Sequence, residues 1–323
     1  MSDHIIDSCW SANGLSVACA EVSGPISLFD VNRGKLVHRL AGHQFGTMAL
    51  AWHPTEALLA SAGQDGKARI WNTQTGELVQ EFKTKSSWVT QVCWSAKGKI
   101  LVTSSGKYLQ FWQRDGKLII EHDAPATISA VVVEPYSAKK LAMASYGGIL
   151  FFSPTGEPVG KPFPWANSIL SLGWSPDGKL LAGGGQDSSV HFWFVKDGKS
   201  LEMTGYMTKV TRTVWSPDSK FLITDGGDKV VMWDCSGDGP AGKNPVLGDL
   251  HQSMVSALAA QYRAPLVASG DEQGVIGLWY PHQQGKLVAQ QPFPELVSHL
   301  SWSPGDGRLL AAGGSGTIQL FTV

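Results

Sequence analysis

His43, Ser61 and Asp65 are the residue types of a nucleophilic triad, in which a serine attacks, a histidine takes its proton and an aspartate orients the ring. No GxSxG elbow accompanies Ser61 to expose such a nucleophile. Residues 237–244, GDGPAGKN, approach the phosphate-cradling GxxxxGK[ST], with Gly237, Gly242 and Lys243 correctly spaced. Asn244 stands where a hydroxyl would reach magnesium, and Pro245 follows where the phosphate-binding helix should begin, so the segment reads as an inserted glycine-rich loop. His4, His38, His43, His53, His122, His191, His251, His282 and His299 show no HExxH and no paired Cys/His spacing. A metal would need ligands converging from separate parts of the chain. Cys9 and Cys93 each precede a tryptophan in a strand and read as small apolar packing.

The elements that must position these groups follow from a repeat. Segments ending in an aromatic recur about every 41 residues, at Phe29, Trp71, Trp112, Phe152, Trp193, Trp233, Trp279 and Phe321. An earlier marker in each unit, as in LAWHPTE, LGWSPDG and TVWSPDS, places Trp10, Trp52, Trp94, Val133, Trp174, Trp215, Ala260 and Trp302 in one register. Ser-Pro-Asp-Gly is strong turn chemistry, because Pro presets its torsion and Asp and Gly suit the positions after it. Between the markers run LLASAG, ILVTSS, LLAGGG and their counterparts, too short and too rich in glycine for helices. A further turn follows each aromatic, as in NRGK, QTGE and KDGK. Each unit therefore reads as four short strands joined by three turns. Such units, unstable alone, pack radially as the blades of an all-β propeller of four-stranded antiparallel sheets, a single domain over residues 1–323. Eight units are counted, the last without an outer strand; a seven-bladed propeller would need residues 127–153 to lie outside it.

Composition narrows the function classes. Charged residues make up 16% and hydrophobic residues 43%, so most of the chain is buried rather than disordered. A net charge of −1 with no cluster of like charges offers no footprint for nucleic acid. Four cysteines, Cys9, Cys19, Cys93 and Cys235, are too few for a disulfide scaffold, and no long apolar run marks a signal or membrane span. A cytoplasmic protein is expected.

The units resemble the WD-repeat family, whose marks are a Gly-His pair, a tight-turn Asp and a terminal Trp-Asp. Blade two carries Gly42-His43, Ser61, Asp65 and Trp71, with Asn72 in place of the last Asp, and blade six ends on Trp233-Asp234. Blade five keeps Asp187 and Trp193. Blade seven has His251, Ser269 and Trp279 at matching offsets, with Gln273 where blade two has Asp65. The resemblance implies that His43 bridges Asp65 and Ser61 while the Trp71 indole completes a buried network, a structural rather than catalytic role. It also implies a non-enzymatic scaffold without cofactor, whose loop-bearing rim docks a protein or peptide. The loops entering each blade and the turns between second and third strands share that rim. There Phe45, Trp88, Trp165, Tyr206 and Phe293, with Gln64 and Gln186, are the candidate partner-binding residues, since exposed aromatics anchor interfaces. The bland alternative folds these aromatics down over the loops, with Trp165 in the place His43 takes. A metal-dependent binder or enzyme using the central channel is the second functional reading.

Overall fold

A computed structural model describes residues 3–323. Among them the only helical segment is the 3-10 turn Pro281–Gln283; the remainder is strand and tight turn. The fold is an eight-bladed β-propeller of antiparallel sheets, four-stranded except for the last, each strand pairing with the next in sequence. Residues 128–152 make a blade of their own, which settles the count at eight rather than seven.

The chain forms two compact units, one running to Val133 and including Ala138–Pro162, the other holding Glu134–Ser137 and Phe163–Val323. In the first lie blade one (5–40), blade two (47–83), blade three (89–123) and the strands of blade four at 128–152. In the second lie the short strand Phe163–Trp165, blade five (169–203), blade six (213–248), blade seven (255–292) and blade eight (297–322).

Blade two shows how the sequence makes a blade. Its strands are Thr47–Trp52, Leu58–Gly63, Lys67–Asn72 and Leu78–Lys83. All six residues of LLASAG are buried, whereas in LVQEFK only Phe82 is. A second strand with neighbours on both faces needs small side chains, and Ala60, Ser61 and Ala62 supply them. Leu58, Ala60, Ile70 and Phe82 then pack against Val89, Val92, Trp94 and Leu101 of blade three. Burying each large side chain there contributes roughly 1.5–3 kcal/mol.

The first-strand tryptophans do more than fill space. The indole N–H of Trp52 donates to the Cys9 carbonyl of the preceding blade at 3.0 Å, and that of Trp94 to the Ala51 carbonyl at 3.1 Å. In the second unit Trp215 donates to Gly173 at 3.0 Å and Trp302 to Ala259 at 3.2 Å. The turn after such a strand closes on the residue following the tryptophan, which is His53 in blade two, its Nδ1 accepting the Glu56 N–H at 3.0 Å, and a serine elsewhere. The Ser175 hydroxyl donates to Asp177 and accepts the Leu180 N–H, while Gly178 takes a φ of +71°.

Candidate functional site: the rim loops and the buried networks

In an antiparallel meander, the loop entering the first strand and the turn between the second and third strands fall on one edge. That topology brings His43 over Ser61 and Asp65. The imidazole lies 2.8 Å from Asp65 through Nδ1 and 2.7 Å from the Ser61 Oγ through Nε2, and the Trp71 indole donates to the same Oγ at 2.9 Å. Nε2 thus faces the Ser61 hydroxyl and Nδ1 the Asp65 carboxylate, and burial, only partly offset by Asp65, pushes the imidazole pKa down, which favours the neutral ring. At Asp65 burial opposes the charge, yet His43 and Arg69 outweigh it and hold the carboxyl below its ordinary value. Arg69 donates to Asp65 and to the Gly42 carbonyl, both at 2.8 Å. Ser61 has no exposed surface and its hydroxyl is fully engaged, so no substrate carbonyl reaches it without opening the blade.

Blade seven repeats the arrangement. His251 contacts Ser269 at 2.7 Å and Asp271 at 2.9 Å, and Trp279 donates to Ser269 at 2.7 Å. The carboxylate comes from Asp271 and not from the position aligned with Asp65, where Gln273 stands. Asp271 ends its strand and also accepts the N–H groups of Gln273 and Val275, so the turn itself is wrapped around it.

The seven candidate rim residues divide. Phe45 is 78% exposed and adopts a φ of +66°, Trp88 is 56% exposed, and Gln186 is exposed in its turn. Gln64 is half-buried, its amide 3.2 Å from the Met48 sulfur. Phe293, in contrast, is only 4% exposed and packs in a core cluster with Val297 and Trp302. Tyr206 turns inward, its hydroxyl accepting from the Trp233 indole at 2.7 Å and lying 2.8 Å from Thr224 Oγ1. Trp165 is half-buried, with its ring centroid 3.5 Å from that of His191. Their positions explain this. Trp165 and Phe293 stand as far before Trp193 and Phe321 as His43 does before Trp71, and Tyr206 is one residue nearer to Trp233. They fill the slot of the bridging histidine. Tyr206 with Thr224 and Trp233 is a phenol version of the same network. In blade five Gly183 replaces the serine, and the buried Nδ1 of His191 has no partner. Burial pushes the His191 pKa down to about 4.

Further exposed apolar side chains include Tyr146 in the first unit, 57% exposed in the turn before Gly147, and Met207 in the second, 83% exposed in the loop entering blade six. Tyr146 was legible in principle, since it occupies the turn position of Gln64. In the first unit Phe45, Trp88 and Tyr146 thus stand on the corresponding edges of blades two, three and four. Lys85, in the loop of Trp88, sits 4.3 Å from the Tyr108 ring centroid.

The remaining chemistry-bearing segments are accounted for. Lys243 of GDGPAGKN donates to the Ser236 carbonyl at 2.8 Å and pairs with Asp234 at 3.2 Å; the segment is followed by the strand Val246–Gly248, not a helix. Among the described residues no three His, Cys, Asp or Glu side chains group as a metal site. No helix among them is long and apolar enough to cross a membrane. The four cysteines are free thiols, and burial pushes those of Cys93 and Cys235 up to about 12.

Comparison with known proteins gives a consistent picture. Residues 4–143 match the model of the IFT140 first beta-propeller, and residues 156–193 that of the WD domain, G-beta repeat. The chain is 26% identical over 302 residues to Telomerase protein component 1 of Mus musculus, covering 91% of this chain and 11% of that protein. It is 27% identical over 221 residues to the WD repeat-containing protein slp1 of Schizosaccharomyces pombe, covering 62% and 43% respectively. The chain thus spans between a tenth and a half of the length of these relatives. Among solved structures the computationally designed Ika8 protein superposes with a TM-score of 0.83 at 20% identity, covering 100% of this chain and 97% of that one.

Proposed function

From the premise that the chain belongs to the WD-repeat β-propeller family, whose members are typically protein-interaction scaffolds, we propose that it is a non-enzymatic platform that docks a protein or peptide on its rim. In this reading residues 1–323 work as one propeller domain, in a reducing compartment that suits four free thiols. The observation that carries the reading is the exposure of Phe45 and Trp88 in loops stiffened by their own hydrogen bonds. Gln64 N–H donates to the Gly46 carbonyl, and the Thr84 hydroxyl bridges the Gly66 and Ser86 carbonyls. Large aromatics held in place at a water-exposed edge lose little conformational entropy on binding, and such residues concentrate interface energy. Gln64 and Tyr146 would supply the surrounding contacts in the first unit, and Gln186 is proposed as a rim contact of the second unit by itself. Trp165, Tyr206 and Phe293 support the rim from beneath, as do the networks of His43, Ser61, Asp65 and Trp71 and of His251, Ser269 and Trp279.

The test is affinity capture from native lysate with the wild-type chain, the double variant Phe45→Ala/Trp88→Ala, and Leu36→Ala/Leu78→Ala on exposed outer strands as control. Loss of each anchor is expected to weaken capture about 30-fold, the equivalent of roughly 2 kcal/mol. Equal capture by all three proteins would refute the rim site.

A further inference from the structure

The first strands of blades one and three carry a polar side chain at the same place, three residues before the marker tryptophan: Asp7 before Trp10 and Gln91 before Trp94. Each reaches across to the first strand of the next blade. Gln91 grips that strand at two points, its Oε1 accepting the Val131 N–H at 2.6 Å and its Nε2 donating to the Ser129 carbonyl at 2.8 Å. Asp7, although one methylene shorter, reaches the matching N–H, its Oδ2 accepting from Leu50 at 2.8 Å. Leu50 stands two residues before Trp52, as Val131 does before Val133. The carbonyl half has a counterpart too. Ser129 is the residue out of register between Ile128 and Ala130, and Met48 is out of register in the same way between Thr47 and Ala49. The shared irregularity gives the two strands the same local path, which sets the Met48 carbonyl beside the Leu50 N–H as that of Ser129 stands beside the Val131 N–H.

An amide fills both halves of such a notch because it carries a donor and an acceptor, whereas a carboxyl group does so only with its proton on. An ionised carboxylate would instead turn a second acceptor toward the Met48 carbonyl. The surroundings favour the proton. Within its unit the strand Ile5–Trp10 packs against Ser16–Glu21 and Thr47–Trp52. The titratable groups these strands bring are Cys9 beside Asp7, Cys19 and Glu21 on the second strand, and none on the third. Glu21 is paired with Arg39 at 2.7 Å, and the thiols supply no positive charge. Burial raises the Asp7 carboxyl to about 7, against the N–H groups of Leu50 and Ser8 that pull it down. The residue as a whole is half-buried, so its proton can exchange with water.

We propose that Asp7 is a proton-operated clasp between blades one and two: as the neutral acid it donates from Oδ1 to the Met48 carbonyl while Oδ2 accepts the Leu50 N–H, the two-point grip that Gln91 holds at every pH, and loss of the proton releases the Met48 half and loosens the seam. Opening the seam hydrates the carboxyl and returns it toward its ordinary value of about 3.9, so the open state loses the proton first as the pH rises. The clasp is therefore tightest below about pH 4 and weakens up to about pH 7, by at most about tenfold in the opening equilibrium per pH unit. It is separate from the rim loops and stands whether or not the rim docks a partner.

The test is amide exchange at Leu50, corrected for the intrinsic rate, with the Gln91-bound amide of Val131 as internal control and Asp7→Asn as the variant that carries donor and acceptor at every pH. Between pH 5 and pH 7 the Leu50 amide of the wild-type chain should lose about tenfold or more in protection while Val131 holds level. In Asp7→Asn both amides should hold level. A carbon-13 titration of the Asp7 carboxyl in the wild-type chain, which needs no variant to fold, should have its midpoint at about 7. A midpoint below about 5, a Leu50 amide as protected at pH 7 as at pH 5, equal losses at Leu50 and Val131, or the same Leu50 loss in Asp7→Asn would overturn the clasp.

Discussion

His191 offers the sharpest test of the energetics. Its ring lies between Trp165, 3.5 Å away, and Trp193, 4.6 Å away, and its buried Nδ1 has no partner. Burial pushes its pKa down to about 4 in the folded chain, while the unfolded value is about 6.5. The unfolded state therefore binds the proton first as the pH falls. The contribution of this residue to stability is fully present above the unfolded pKa and is lost progressively toward the folded one. Between pH 7 and pH 5 the loss amounts to about 2 kcal/mol. His299, also pushed down to about 4 by burial, acts in the same direction. Asp7 acts in the other, since burial raises its carboxyl to about 7 and acidification relieves the cost of holding it. The whole-protein curve mixes these contributions, so the quantity to read is the difference between the wild-type chain and His191→Phe, which keeps a packed ring and removes the titration. Urea unfolding at pH 7 and pH 5 should show the variant losing about 2 kcal/mol less than the wild type. Its stability at pH 7 should be no lower, because an unpaired buried nitrogen is gone. Parallel curves for the two proteins would refute the assignment of His191 as a buried, neutral residue.

Three further outcomes are expected. Ser269→Ala leaves the Trp279 indole N–H and His251 Nε2 without their shared partner in a site with no exposed surface, and chemical denaturation should register a loss of about 1–3 kcal/mol; a change within error would mean that water or a shift of the loop takes over. Trp52→Phe keeps the ring but deletes the bond to the Cys9 carbonyl, and its unfolding midpoint should fall by the equivalent of about 1 kcal/mol. Phe293→Ala should cost about 3–5 kcal/mol as a core truncation, whereas Phe45→Ala should stay within about 0.5 kcal/mol of the wild type, a contrast that thermal melts of both variants can check.

The repeat was legible because its markers obey strong physical constraints. A tryptophan whose indole must reach the neighbouring blade, and a Ser-Pro-Asp-Gly turn that must close in a few residues, tolerate few alternatives. The bridging position over each blade is less constrained. His43 and His251 satisfy a buried hydroxyl, but Tyr206 does so with a phenol, and Phe293 and Trp165 fill the slot in blades whose register offers Ala311 and Gly183 in place of that hydroxyl. An aromatic there looks in sequence like an exposed rim anchor, and only counting back from the terminal aromatic separates the two. The same degeneracy hid the carboxylate of blade seven, since Asp271 reaches His251 from a different place in the turn than Asp65 reaches His43. Tyr146 lies in the turn between Leu141–Ser145 and Gly147–Phe152, where the other blades carry polar residues such as Gln64 and Gln186, so the repeat pattern does not point to an aromatic there.

The ties from the indoles of Trp52, Trp94, Trp215 and Trp302 to the sheet before each end on a main-chain oxygen: that of a cysteine at Cys9, an alanine at Ala51 and Ala259, a glycine at Gly173. Every amino acid carries that atom, so mutation at the receiving position leaves the tie available as long as the backbone keeps its path. Only the giving side must remember what it is. A chain assembled from such one-sided obligations can let its repeats drift far apart in composition while still stacking them in register, which is how units as unlike as residues 47–83 and 213–248 come to share one architecture.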